Sequence, residues 1–350
     1  MNSSIKKIDQ LDALRCLSVL LVILSHYLLE IFRGGFPFGR YGVQIFFTIS
    51  GFLITSILLK QKEGILSRLS ILKNFYIRRT LRIFPLYYLI LIGLTILHFC
   101  FHIPMWRIGQ GDEIYFYTYT TNILFFLHVT GDYMVSHLWS LAVEEQFYLI
   151  WPFLILFAPK KKEHLIIFLF IISSFLFKFI LPYEYGKTLP IAQFDTLGTG
   201  ALIAYYLNKD TSNKWIELIN KYKTLLIFVS LSFLILSECV EQVFINKLAY
   251  FFLVVFCSSL VVGCIKGFKG PAAVFFNNKA VQYLGQISYG IYLFHKWMPF
   301  ILMPQLEKRL HVHFNHFWGF TIPLLTTVLL AHLSYVFFEM RFLKLKEKFN

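Results

Sequence analysis

Arg15 and His26 both lie inside the apolar run LDALRCLSVLLVILSHYLLEIF. Ionisable groups in such a run are expensive to bury and are functional candidates by default. Eleven residues at about 100° each make three turns plus about 20°, so both side chains share one helix face, about 16 Å apart along the axis. A permanent cation near one membrane surface and a titratable imidazole near the other suit a reaction that spans a bilayer. Glu144 and Glu145 stand in His137-Leu-Trp-Ser-Leu-Ala-Val-Glu-Glu-Gln-Phe-Tyr, Asp195 follows Phe194, and His295 precedes Lys296. A carboxylate beside an imidazole fixes its tautomer, which suits the ring to act as a general base. Glu144 and Glu145 point about 100° apart, so one can face a polar site while the other meets a neighbouring helix. The bland reading of His295 is a hydrogen-bonded packing residue. Lys178 and Lys296 are expected to snorkel toward the outer membrane surface.

A second constellation is basic: Lys73-Asn-Phe-Tyr-Ile-Arg78-Arg79-Thr-Leu-Arg82-Ile-Phe-Pro85. Arg79 and Arg82 are three apart and share a helix face, and Arg78 with Arg82, four apart, could do the same. Clustered guanidiniums suit phosphate through bidentate contacts, while the bland reading is topogenic charge and lipid headgroups. Pro85 is consistent with a break where the loop enters the next span. No P-loop or dinucleotide-binding glycine pattern occurs, so a nucleotide site would have to be built from these basic groups.

The elements that must position these groups are membrane spans. Of 350 residues 57% are hydrophobic and mean hydropathy is +0.63, against about 45–50% apolar in globular domains. The excess forms runs of about 20 residues, so the expected fold is all-α, a polytopic transmembrane bundle. Ten spans are read at 11–31, 41–59, 83–103, 138–158, 164–181, 191–207, 223–240, 248–265, 283–303 and 317–338. The run 114–129, short and Thr-rich, is read as interfacial or re-entrant. With both termini cytoplasmic, 23 of the 33 Lys and Arg fall in inner segments, 7 in outer loops and 3 (Arg15, Lys178, Lys296) within spans, the asymmetry that sets orientation. The net charge of +14 is thereby topology and anionic lipid, not nucleic acid. This topology puts His26, one of Glu144 and Glu145, Asp195 and His295 in the outer half. No cleavable leader is visible ahead of Leu11. The five Cys (16, 100, 239, 257, 264) lack metal spacing and read as packing residues, with a Cys100–Cys239 bridge geometrically open. No internal repeat is evident, which weakens an inverted-repeat transporter reading.

From about residue 8 to 343 the chain resembles membrane acyltransferase family 3, the integral-membrane O-acyltransferases of polysaccharide O-acetylase type. Six motifs carry the resemblance in order: Arg15 with His26; Gly42 to Ile54, containing Ser50-Gly51; Phe75 to Pro85 with Arg78, Arg79 and Arg82; Trp139-Ser140 to Tyr148; Ile287 to His295; and Ser334 to Glu339. Cys16 stands where the family has Gly, and Met340-Arg341 where it has Pro, which leaves that helix end less defined. The resemblance implies one domain over 1–350 in the inner (plasma) membrane, with no appended soluble domain. It implies transfer of an acyl group, acetyl by default, from cytoplasmic acetyl-CoA or another acyl-CoA to a saccharide hydroxyl. Lipopolysaccharide, exopolysaccharide, peptidoglycan and small glycosides are all open as acceptors. Arg15, Arg78, Arg79 and Arg82 are then expected to hold the donor, and His26, oriented by Glu144 or Asp195, to do the chemistry. Ser50, Trp139, Ser140, Glu145 and His295 are expected to face the acceptor. The acyl-CoA, the saccharide and the bilayer are the expected partners, with no metal and no nucleic acid. The rival class is a transporter or exporter of polysaccharide or small solutes, which needs no thioester.

Overall fold

The computed structural model describes residues 8–28, 38–101, 112–127, 135–181, 186–209, 213–240 and 242–349. Lys6, Lys7, Arg33 and Arg107 of the charge tally, the end of the first expected span and residues 128 and 129 of the Thr-rich run lie outside them. The described residues are helical and contain no strand. Three long helices come first, α1 (Asp9–Leu28), α2 (Phe38–Lys62) and α3 (Arg68–Phe101). Short α4 (Glu113–Tyr117) and α5 (Thr121–Leu127) precede α6 (Trp139–Phe157) and α7 (Glu163–Ile180). Next are α8 (Phe194–Lys209), α9 (Lys214–Glu238), α10 (Val243–Lys266) and α11 (Pro271–Phe276). The chain closes with α12 (Lys279–Gln286), α13 (Ser288–Phe294), α14 (Met303–Leu310), α15 (His316–Ser334) and α16 (Met340–Lys346).

Among the described residues eight helices are long and apolar enough to cross a membrane. They match eight of the ten expected spans. The other two take different forms. The run 191–207 is a 3-10 turn, Pro190–Gln193, leading into the 16-residue α8. The run 283–303 is broken into α12, α13 and a π turn at Met298–Leu302. Outward faces carry bare apolar side chains, such as Leu149 (60% exposed) and Phe228 (70% exposed), the surface a bilayer covers.

Two local expectations are corrected, and one pairing left open is not formed. The arginine motif is not in a loop: α3 starts at Arg68 and continues through Pro85, whose missing amide proton leaves one carbonyl unbonded but does not stop the helix. Lys178 and Lys296 do not snorkel. Both are buried, because each finds a polar partner inside, Lys178 on Asp195 at 2.6 Å and Lys296 on Ser136 at 2.6 Å. Cys100 and Cys239 are free thiols rather than a bridge. Past Glu339 the chain stays helical, through a π turn (Tyr335–Glu339) into α16, so the missing Pro does let the helix run on.

Two hydrophobic cores share α1 and α2 as a common wall. One takes in α3, α6 and α13, and the other α8, α9 and α10. The α2–α8 crossing is a backbone contact. A Cβ on Gly200 would meet the Thr48 carbonyl oxygen at 2.1 Å, and one on Gly51 the Leu197 carbonyl oxygen at 1.9 Å. Without an aqueous driving force, helices in lipid associate through such close approach at small residues. Lys62 ties the end of α2 to its neighbours, its Nζ on Glu163 at 2.8 Å and on the carbonyls of Ile155 and Ala158. The Thr-rich run is packed on α3 and α6. Tyr87 donates to Phe116 O at 2.8 Å, and Gln146 donates to Tyr119 O at 2.9 Å.

Candidate functional site

A cavity of about 100 Å3 lies between α1, α2, α3, α6 and α13. Arg15, Arg79, Arg82, Ser50, Ser140, Glu144, Tyr148 and Tyr292 all line it. Helix geometry explains the arginines. Arg79 and Arg82, three apart on α3, turn to one face. Arg78 turns away, donating to Phe349 O at 3.1 Å. Arg15 comes from the facing helix and is held by Asp12 at 2.8 Å, one turn before it. Arg79 lies over the rings of Tyr148 (4.9 Å) and Phe75 (5.7 Å), cation–π contacts that fix its guanidinium. Lys346 of α16 is within electrostatic reach of all four arginines. Such a convergence of cations matches a multivalent anion such as phosphate.

The carboxylate of Glu144 accepts hydrogen bonds from Ser50 and from Tyr148, and the Tyr148 hydroxyl oxygen lies 3.1 Å from Ser50 Oγ. Tyr148 is four residues after Glu144, so one helix face delivers both groups. Glu145 leaves the cavity for a cluster of tyrosines, with Tyr87, Tyr88, Tyr119 and Tyr289 in electrostatic reach. The adjacent pair therefore divides as its 100° offset requires.

Tyr292 is the junction to a second constellation. Its hydroxyl contacts Ser140 Oγ at 2.6 Å and donates to His137 O at 2.8 Å. Beyond it three imidazoles meet. The ring centroids of His26 and His295 are 5.0 Å apart, and those of His137 and His295 4.8 Å. His26 Nδ1 is 3.0 Å from Val22 O and 3.1 Å from His295 Nε2, and His295 Nδ1 is 2.6 Å from Tyr292 O. Carbonyl oxygens only accept, so both Nδ1 atoms carry protons and His26 Nε2 is left with its lone pair. His137 and His295 are buried, whereas His26 is half-buried, making its ring the accessible one. Among the described residues no group of three or more His, Cys, Asp or Glu is arranged to hold a metal ion.

The structure thus brings Arg15, Arg79, Arg82, Ser50, Ser140 and Glu144 around one cavity, with His26 and His295 grouped past its Tyr292 wall. Arg78, Glu145 and Trp139 are not on the cavity lining; Trp139 packs edge-on to Phe47. Asp195 is bonded to Lys178 and to the Thr196 amide at 2.9 Å. The side-chain partner of His26 is His295, not Glu144 or Asp195. Sequence reasoning passed over Tyr148, Tyr292, His137 and Lys346. The four-residue spacing of Tyr148 from Glu144 was a usable signal. His137 and Lys346 reach the site through tertiary packing, and no spacing announces them.

The family model described as an acyltransferase domain matches residues 8–336. The chain is 30% identical over 358 residues to the peptidoglycan O-acetyltransferase OatA of Listeria monocytogenes, covering 95% of this chain and 55% of that protein. It is 30% identical to "Putative peptidoglycan O-acetyltransferase YrhL" of Bacillus subtilis, covering 95% and 54%. It is 28% identical to "Putative O-acetyltransferase SACOL0978" of Staphylococcus aureus, covering 96% and 57%. The chain spans about half the length of these curated relatives. No solved structure matches it.

Proposed function

The chain belongs to the acyltransferase family whose model spans residues 8–336, and from that premise we propose that it is a multi-pass O-acetyltransferase of the plasma (inner) membrane. Acetyl-CoA is its donor and a cell-envelope saccharide hydroxyl its acceptor. Peptidoglycan or its precursor is the favoured acceptor, since two relatives are named for that substrate. The single observation that carries the reading is the cavity in which Arg15, Arg79 and Arg82 converge beside Glu144, Ser50 and Tyr148. Guanidiniums at one end suit the phosphates of a CoA ester, and His26 lies about 16 Å further along α1, a span suited to an extended pantetheine arm. The arginine-bearing end faces the cytoplasm, with both termini, in the orientation that the Lys and Arg asymmetry supports.

His26 Nε2 takes the proton of the acceptor hydroxyl as its oxygen attacks the acyl carbon. The carbon–sulfur bond breaks, CoA leaves as the thiolate, and the proton passes from His26 to it or to water. Arg79 and Arg82 hold the donor while this happens. Glu144 holds Ser50 and Tyr148 in place along the path. Asp195 serves the fold through Lys178 and takes no part in the proton transfer.

The test is acetyl transfer in membranes containing the full chain, given labelled acetyl-CoA and the host's own envelope glycans. Label is expected in a glycan with wild type and absent with His26→Ala, at equal protein level. Transfer that survives His26→Ala removes this residue from the chemistry. No acetyl-CoA-dependent labelling by wild type, with other acyl-CoA donors also inactive, overturns the enzyme reading in favour of transport.

A further inference from the structure

The geometry of the histidine cluster points to His295 as a positioning residue that, with the Val22 carbonyl, holds the Nδ1 proton of His26 and presents His26 Nε2 as the base. This rests on the role proposed for His26. The direction of the chain follows from its ends. Val22 O and Tyr292 O have no proton to give. His26 Nδ1, at 3.0 Å from the first, and His295 Nδ1, at 2.6 Å from the second, must each donate. A neutral His295 then has a lone pair on Nε2, and that atom faces His26 Nδ1 at 3.1 Å. The His26 Nδ1 proton is thus shared between two acceptors.

In hydrolase triads a carboxylate does this work, orienting the base and stabilising the imidazolium that forms. Here an imidazole stands in that position. When His26 Nε2 accepts the hydroxyl proton, its Nδ1–H to His295 Nε2 becomes a charge-assisted bond. His295 neither gains nor loses a proton and touches no reacting atom. A neutral partner also fits the place. His295 is 0% exposed, where a carboxylate would need a permanent counter-charge. Lys296, alongside, has its Nζ on Ser136 Oγ at 2.6 Å. If His295 were only a packing residue, its Nε2 would have no reason to face the one half-buried imidazole of the three.

The experiment compares His295→Gln with His295→Met in membranes containing the full chain, following labelled acetyl transfer to envelope glycan as acetyl-CoA is varied. The two side chains are nearly isosteric, so they perturb packing alike, but only Gln offers a strong acceptor to His26 Nδ1. The maximal rate is expected to fall about tenfold or more with Met, part of the ~10²–10⁴-fold worth of a general base. KM for acetyl-CoA should stay within about twofold, and Gln should recover most of the lost rate. Equal rates for Gln and Met, or a loss that lies in KM, overturn the assignment. Activity retained in His26→Ala instead overturns the reading on which it rests, so the two failures are separable. If both variants fail to accumulate while Tyr27→Phe and other neighbours do not, His295 is a core residue and the assignment falls.

Discussion

Replacing Asp195 with Asn tests whether this carboxylate supports the fold or the chemistry. Lys178 Nζ and Asp195 Oδ2 are 2.6 Å apart with side chains 5% and 1% exposed, so solvent screening discounts little of their interaction. Asn keeps the shape and can still accept from the Thr196 amide, but it leaves the Lys178 ammonium buried without its counter-charge. Breaking one side of a buried pair costs about 3–5 kcal/mol. The Tyr250 ring, 4.9 Å from Lys178 Nζ, offsets only about 0.5–2 kcal/mol of that. At about 2 °C per kcal/mol, thermal unfolding in detergent, followed by tryptophan fluorescence, should shift down by ~2–9 °C. Adding Lys178→Met removes the stranded charge, and the double variant should unfold near the wild-type temperature, since removing both partners of a buried pair is often neutral. Labelled acetyl transfer should return with it. A double variant that regains stability but stays inactive would refute the structural role and return Asp195 to the reaction. An Asp195→Asn shift under about 2 °C would refute the energetic argument.

Arg79→Ala should raise KM for acetyl-CoA about 10- to 100-fold, the worth of one or two charge-assisted contacts. Arg78→Ala should do much less, because that side chain serves Phe349 O; equal effects in a donor titration would mean the arginines act as diffuse charge. Glu144→Gln should lower the maximal rate at unchanged protein level, since an amide oxygen accepts from Ser50 and Tyr148 without the charge that strengthens a carboxylate's bonds; wild-type turnover would remove Glu144 from the site. Gly200→Leu should prevent folded protein from accumulating, because its Cβ would lie 2.1 Å from Thr48 O, while Gly93→Leu, with nothing within 4 Å, should be tolerated. Size-exclusion profiles of the two in detergent make the comparison.

Much of the fold was legible because a bilayer makes hydropathy nearly sufficient: eight of the expected spans are helices long and apolar enough to cross. The failures have local causes. The run 283–303 reads as one span by composition, but its helix is interrupted after Gln286 and Phe294 and turns π at Met298, and hydropathy is blind to hydrogen-bond register. Pro85 signals a break, yet α3 is long enough to lose one hydrogen bond and continue. Snorkelling was the sound expectation for Lys178 from a single span. The partner that holds it inside, Asp195, comes from α8, 17 residues on.

The site divides along the same line. Spacing within one helix is enough to put Arg15 and His26 on a common face and Glu144 apart from Glu145, because helical rotation per residue is constant, whereas it left both Arg78 and Arg79 able to pair with Arg82, and the contact of Arg78 with Phe349 O decided between them. Nothing in the linear chain says which imidazole meets His26. Three carboxylates and two other histidines were available, and the choice of His295 over Glu144 or Asp195 depends on how α1 and α13 pack against each other. That packing is set by volumes, close backbone contacts and hydrogen bonds between segments up to 300 positions apart. Partner choice of this kind is a property of the assembled bundle, since it exists only once every helix has found its neighbours.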